Sequence, residues 1–302
     1  VGSVLLPYGV AFKAITVLCS LLLPVSAVVL GRGFRLKPPI PAALAAATLP
    51  FLFDSTFTID GGNLFSTLAG EYSFSLGLAL ALIAIGLLAR RVERARGAMA
   101  VSVAIAVAMG AHVLTLMWAA VPIALLLVLA MSPLRRHLHD EVLGARRGVG
   151  LSLVPARPSQ VLRFATTIAG LTFALGAWWL LPFATLQRFA NPMGYTNVSS
   201  YSTMLYPSAD RWAIWLAGLA LVVGVVRLSR FAIVLGLATV ISGIAVVAIP
   251  QGSIYNARLL PFWFIGVYLL IGWLAGLAAA LVARSLARWR AQRKLHPGGA
   301  GA

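Results

Sequence analysis

The sequence predicts an all-α integral membrane protein, and two observations carry this fold class. Of the 302 residues, 61% are hydrophobic and only 10% are charged, whereas soluble domains carry roughly 25% charged residues. Long apolar runs recur from one end of the chain to the other, and short basic clusters separate them, as in a polytopic helical protein. The runs do not alternate in polarity, and lipid tolerates no open sheet edge, so strands are excluded.

The apolar runs predict about nine transmembrane helices. We place them at 11–30, 39–53, 72–89, 98–112, 116–131, 164–182, 212–226, 231–249 and 260–283. The fourth and fifth come from one continuous apolar stretch, which we divide near His112. An undivided helix is too long for a simple crossing and would place half of the basic clusters on the outer side. Residues 1–283 are therefore one polytopic transmembrane domain.

Basic residues set the predicted orientation. With nine crossings, most of the 24 Lys and Arg residues fall on one side, in the segments 31–38, 90–97, 132–163, 227–230 and 284–302. Loops on the cytoplasmic side carry such an excess, which predicts a multi-pass protein of the plasma membrane with a cytoplasmic linker at 132–163 and a basic, flexible cytoplasmic tail at 284–302. The net charge of +17 thus reflects topology, and we exclude nucleic acid as a partner.

This topology places the N-terminus on the outer side. The chain begins with Val1, and uncharged residues lead into the first helix without the basic region of a signal peptide. We expect an upstream helix and its loop to be missing; a valine-coding start codon is the alternative. The single Cys19 lies in an apolar run and excludes a disulfide framework.

Three outer loops, at 54–71, 183–211 and 250–258, collect polar residues. They or the adjoining helix ends contain the acidic residues Asp54, Asp60, Glu71 and Asp210 and the basic residues Arg188, Arg211 and Arg258. A chain with so few charges places carboxylates and isolated arginines together on this face. The polar site of the protein is therefore predicted here.

The carboxylates Glu71, Asp54 and Asp60 are the candidate catalytic residues. Glu71 directly precedes a helix, where it either stabilises the helix dipole or acts as a base, a metal ligand or a hydroxyl acceptor. Asp54 and Asp60 frame a Gly-Gly-Asn turn at 61–63, which is either a close approach to a ligand, with Asn63 contacting it, or a solvated loop. A divalent metal ion is a candidate helper, and no metal ligands are assigned.

The candidate substrate-binding residues are Arg258, Asn256, His112, Asn63 and Arg188. Arg258 either extends to the lipid headgroups or binds a phosphate with its planar guanidinium, with Asn256 beside it. His112 either packs with a hydrogen bond inside the bundle or contacts a sugar or phosphate oxygen in an outer cavity beside Glu71.

Two stretches carry a resemblance to a known family. GGNLFSTLAGEYSFSLGLALALIAIGLLAR at 61–90 and IYNARLLPFWFIGVYLL at 254–270 resemble actinobacterial and archaeal membrane proteins catalogued as "6-pyruvoyl-tetrahydropterin synthase-related". Those proteins are similar to GT-C glycosyltransferases, including the mycobacterial arabinofuranosyltransferases. The catalogue name implies no pterin chemistry here, since that needs a zinc site of several histidines on a mixed fold.

The resemblance implies a GT-C-like bundle that moves a sugar from a polyprenyl-phosphate donor to a cell-envelope glycan or lipid acceptor on the outer face. The family's usual base lies in the first outer loop, and we expect this chain to begin beyond that loop. Asp54, Asp60 and Glu71 are then the carboxylates that remain, and Glu71 lies in the matching stretch.

Two other functions stay open. A transporter or flippase of a lipid or polar solute needs ionisable residues along its central pathway. Apart from Lys13, near the outer end of the first helix, ionisable residues lie only at helix ends, which counts against ion-coupled transport. A non-catalytic scaffold for envelope enzymes would leave each outer acidic or arginine residue replaceable.

Overall fold

The structure is a computed structural model that describes residues 7–138, 156–189, 200–250 and 255–295. Within these ranges the chain forms helices and their connections, with no strand. Its main helices are apolar along most of their lengths. The predicted class, an all-α membrane protein, is confirmed.

Nine helices of at least 13 residues lie in the described ranges. They are α1 (Tyr8–Gly33), α2 (Ile40–Leu52), α3 (Tyr72–Arg91), α4 (Ala98–Ala111), α5 (Val113–Met131), α6 (Pro158–Leu186), α7 (Arg211–Val226), α8 (Arg230–Ala248) and α9 (Leu260–Leu295). Seven segments are long and apolar enough to cross a membrane, whereas α2 and α4 are shorter apolar helices. The count of nine crossings stays a prediction.

The long apolar stretch of 98–131 divides at His112, as predicted. This residue has an extended backbone (φ −161°, ψ 125°) and separates α4 from α5. The Oγ1 of Thr115 donates to the carbonyl of His112 at 2.7 Å, which satisfies one group at the break. His112 and Thr115 lie next to Gly77 of α3, so the break is at the end of the bundle that holds the start of α3.

Two helix boundaries differ from the prediction. Helix α6 begins at Pro158, within the predicted linker 132–163, and α9 continues to Leu295, into the predicted flexible tail. The basic residues that mark the membrane edge are good helix formers, so charge ended the predicted crossing without ending the helix. The rest of the linker, 139–155, and the residues 296–302 lie outside the described ranges.

Small residues set the closest helix contacts. A Cβ on Gly33 of α1 would overlap the carbonyl oxygen of Gly86 in α3, so the two backbones are in direct contact. A Cβ on Gly272 of α9 would lie 2.9 Å from the carbonyl oxygen of Ala43 in α2. Such contacts favour helix association in membranes, where hydrophobic burial does not drive it.

The bundle has two polar ends. At the basic end, which comprises the segments 31–38, 90–97, 156–163 and 227–230, Glu93 pairs with both Arg35 (3.0 Å) and Arg230 (2.7 Å). Its backbone carbonyl also accepts from the N–H of Ala156 at 2.8 Å. The opposite end, which we name the carboxylate end, holds Asp54, Asp60, Glu71, Asp210 and Arg258. Segments predicted to share one side therefore meet at one end.

Candidate functional site

The loop that follows α2 is organised by Asn63. The Nδ2 of Asn63 donates to the backbone carbonyls of Asp54 and Phe57, and its Oδ1 accepts from the N–H of Ser66 at 2.8 Å. Asn63 is fully buried. All three bonds lie within the loop, so Asn63 shapes the segment that carries Asp54 and Asp60, and its amide is already occupied.

Glu71 and Arg258 form an ion pair at the carboxylate end. Arg258 Nη2 lies 2.6 Å from Glu71 Oε1, although 187 residues separate them in the chain. Glu71 follows a kink at Gly70 (φ 117°), and its side chain makes no capping hydrogen bond to α3. The two residues are therefore direct partners, a pairing that the sequence did not predict.

Asp60 is the most perturbed carboxylate of the described loops. It is 6% exposed, and its Oδ1 has no hydrogen-bond partner within the described ranges. Burial raises the pKa of Asp60 from its ordinary value of 3.8 to about 6, with Arg258 opposing the rise and Glu71 adding to it. Asp60 thus lies within the field of the Glu71–Arg258 pair and changes charge near neutral pH.

His112 lies at the turn between α4 and α5, on the same side. Its ring is 4.9 Å from that of Phe74, which stacks in turn on Phe262. Burial and the charge of Arg258 lower the pKa of His112 to about 4, so the ring is neutral at pH 7. The Nδ1 of His112 is buried and has no partner in the part of the chain that the structure describes.

Asp54 belongs to a second cluster, which a tyrosine joins to Asp210. Its Oδ1 accepts from the N–H (2.9 Å) and Oγ1 (2.7 Å) of Thr56. The hydroxyl of Tyr268 lies 3.3 Å from Asp54 Oδ2 and 3.1 Å from Asp210 Oδ1. Burial raises the pKa of Asp54, the bonds from Thr56 lower it, and the charge of Asp210 raises it further. Two buried carboxylates thus share one hydroxyl.

Asn256 and Arg188 make contacts that do not involve the carboxylates. The Nδ2 of Asn256 donates to the carbonyls of Val246 (2.9 Å) and Ile249 (2.6 Å), which closes the C-terminal end of α8. Arg188 is exposed, and its guanidinium lies 4.8 Å from the ring centre of Phe189. The structure therefore gives Asn256 a structural contact and does not bring Arg188 to the carboxylates.

Two members of the site were missed as candidates from the sequence. Asp210 was recognised as an outer acidic residue but had no assigned role. Tyr268 lies inside α9 and is not among the candidates. The available signal was weak, because a tyrosine in an apolar helix acquires a polar role only when a partner faces it.

The carboxylates do not form an evident metal centre. Within the described ranges, no group of three or more His, Cys, Asp and Glu side chains is close enough to hold a metal ion. The described groups at this end of the bundle include a carboxylate with a pKa near 6, a neutral imidazole and an arginine.

Fold and site together define a polytopic α-helical membrane protein with a partly buried polar site at the carboxylate end. Comparison of the chain with protein-family models, with curated proteins and with solved structures finds no match.

Proposed function

We propose that the protein is a membrane glycosyltransferase, or the membrane part of one, that moves a sugar from a polyprenyl-phosphate donor to a cell-envelope glycan or lipid acceptor. One observation carries the proposal: Asp60, a carboxylate with a pKa of about 6, lies in the field of the Glu71–Arg258 pair. Transfer from a lipid phosphate needs a base for the acceptor and a cation for the phosphate, and both are present here.

In the proposed reaction the acceptor hydroxyl gives its proton to the Asp60 carboxylate while its oxygen bonds to the anomeric carbon of the sugar. The bond between that carbon and the phosphate oxygen breaks, and its electron pair stays on the phosphate. Arg258 stabilises the charge that develops there, since a guanidinium binds phosphate through two parallel hydrogen bonds. Asp60 then releases its proton to water.

Glu71 takes a different role from the catalytic one that the sequence favoured. Its carboxylate holds the guanidinium of Arg258 at 2.6 Å, and both side chains are about a quarter exposed, at 23% and 26%. A donor phosphate would approach Arg258 from the exposed side. Glu71 is therefore proposed as a positioning residue, and Asp60 replaces it as the base.

The orientation is part of the proposal. The basic end is assigned to the cytoplasm of a cell with a single plasma membrane, because basic residues accumulate on the cytoplasmic side of membrane proteins. The C-terminus is then cytoplasmic, and the carboxylate end faces outward, where envelope acceptors lie.

The test is sugar transfer from radiolabelled polyprenyl-phosphate donors in membranes that contain the protein. Asp60→Asn should lower kcat by at least about 100-fold, which is the usual contribution of a general base. Arg258→Gln should lower kcat/KM by a similar factor, and Glu71→Gln should mainly raise KM. Arg211→Gln, at an exposed position at the same end, is the matched control and should leave transfer unchanged.

Transfer that survives Asp60→Asn at equal protein abundance would contradict the assignment of the base. Absence of transfer from every donor, with the protein shown to be folded, would contradict the enzyme itself.

The Asp54–Tyr268–Asp210 cluster favours a second candidate, a transporter or flippase driven by protons. Ionisable groups that face the interior of a membrane protein are typical of proton pathways, and Tyr268 places its hydroxyl between two buried carboxylates. Uptake into proteoliposomes that follows an imposed pH gradient and is lost in Tyr268→Phe would support this candidate. Sugar transfer that is unaffected by Tyr268→Phe would argue against a role of this cluster in the glycosyltransferase reaction.

A further inference from the structure

A cleft lined by arginines opens at the basic end, away from the site described above. Its volume is about 860 Å³. Six guanidinium groups from the end of α1, the end of α3 and the turn after α3 line it: Arg32, Arg35, Arg90, Arg91, Arg94 and Arg96. A neighbouring recess of about 350 Å³ shares Arg94 and Arg96 and adds Arg163 from α6.

Among the residues that the structure describes, few carboxylates accompany the positive charge of this cleft. Glu93 pairs with Arg35, but it also pairs with Arg230, which is almost fully buried. Within the described ranges, no carboxylate pairs with any of the other five arginines of the cleft. Like charges in a shared cleft repel one another and attract anions from solution. The described part of the cleft therefore presents a concentrated positive charge that attracts anions.

Helix packing gathers these arginines, and topology alone does not require it. An excess of basic residues on one side orients a membrane protein wherever on that side the residues lie. Here the backbone contact between Gly33 and Gly86 brings the basic ends of α1 and α3 together. The left-handed Ala95 (φ 48°) and Gly97 (φ 76°) then turn the chain sharply between α3 and α4. The orientation of the protein depends only on the number of basic residues on this side, whereas the fold also brings them together in one place.

The chemistry of the cleft suits phosphate groups. All six charged residues are arginine, whose planar fork binds phosphate oxygens in pairs, which lysine cannot do. Its volume is in the range of small-molecule sites, roughly 300–1,000 Å³. A single phosphate would leave several arginines unpaired.

We propose that this cleft binds a molecule that carries at least two phosphate groups. Two sources share this chemistry: the headgroup of an anionic lipid with two phosphates, which the bilayer would deliver past the apolar side chain of Leu87, and a soluble polyphosphate. The site is independent of the proposed transfer reaction, because it lies at the other end of the bundle.

The test uses the full chain, purified in a detergent with an uncharged headgroup, at about 150 mM salt. Binding of cardiolipin, which has two phosphates, is measured by native mass spectrometry, and binding of inorganic tripolyphosphate by calorimetry. Phosphatidylcholine and inorganic phosphate are the respective reference probes. The variant Arg94→Gln/Arg96→Gln is compared with Arg288→Gln/Arg290→Gln, which removes the same charge from exposed positions of α9.

We expect at least one of the two probes to bind more tightly than its reference. The Arg94→Gln/Arg96→Gln variant should lose about tenfold or more in affinity for it, and the α9 variant less than about twofold. Preference for cardiolipin would identify a lipid as the source, and preference for tripolyphosphate a soluble molecule. Binding of both probes no tighter than their references, or equal losses in the two double variants, would overturn the proposal.

Discussion

Two single substitutions should move the pKa of Asp60 in opposite directions. The Glu71 carboxylate raises this pKa and the Arg258 guanidinium lowers it. In Glu71→Gln the carboxylate charge disappears and Arg258 acts on Asp60 without a partner, so the pKa should fall. In Arg258→Gln the stabilising cation disappears and the Glu71 charge remains, so the pKa should rise.

The magnitude follows from the burial of the three groups. A rise of the Asp60 pKa from 3.8 to about 6 corresponds to about 3 kcal/mol of unfavourable free energy for ionising the carboxyl. Burial is the largest cause, and neither substitution changes it. A charge within about 4–6 Å moves a pKa by roughly 1–3 pH units. Because the side chains of Glu71 and Arg258 are 23% and 26% exposed and water screens them, we expect about one pH unit in each direction.

Infrared spectroscopy can follow this titration without any enzymatic activity. The protonated carboxyl of Asp60 absorbs separately from carboxylates, and the difference between the unmodified protein and Asp60→Asn assigns the band. The same difference is then recorded between pH 4 and 8 in the Glu71→Gln and Arg258→Gln backgrounds. A midpoint near 4 in the unmodified protein, or shifts of the same sign in both variants, would refute the electrostatic reasoning.

Two further predictions concern stability in detergent. Tyr268→Phe should lower the free energy of unfolding by about 1–3 kcal/mol, because it leaves buried carboxylates without their hydroxyl donor. Tyr8→Phe, at a position 76% exposed, should change this free energy little. Equal effects of the two substitutions would contradict the role of Tyr268 as that donor. Gly86→Ala should lower the free energy of unfolding by about 1–3 kcal/mol, because its Cβ would lie 2.9 Å from the Cα of Leu30. Gly218→Ala, whose Cβ meets nothing within 4 Å, should be neutral or slightly stabilising. Denaturant titrations measure both pairs of variants.

Hydropathy and charge were enough to predict the fold class and the elements. A membrane helix must satisfy its backbone internally, so length and apolarity of a run carry almost all of the information. The division at His112 could be predicted from charge, since an undivided helix would place half of the basic clusters on the other side of the membrane. The start of α6 and the end of α9 could not be predicted, because hydropathy marks where a chain leaves the membrane, and a helix can continue beyond that point.

The site could be predicted only as a collection of residues at one end. Alternation of loops places Asp54, Asp60, Glu71 and Arg258 on the same side, and this holds in the structure. The pairing of Glu71 with Arg258 depends on which helices are neighbours, and hydropathy contains no such information. The burial of Asn63 could not be predicted for a related reason. Its amide makes hydrogen bonds within a loop, and the helices around that loop determine its path.

The number of protons in the Asp54–Tyr268–Asp210 cluster distinguishes the two candidate functions. The Tyr268 hydroxyl has one proton and therefore donates to only one carboxylate at a time, yet it lies within 3.3 Å of oxygens from both. A proton on Asp54 completes the chain, with Asp54 donating to the Tyr268 oxygen and Tyr268 donating to Asp210. The raised pKa of Asp54 has the direction that this arrangement requires. A cluster that gains and loses this proton with pH suits proton-coupled transport. A cluster that keeps the proton at every pH is a buried structural contact, and Asp60 is then the group that acts, as the base of the proposed glycosyltransferase.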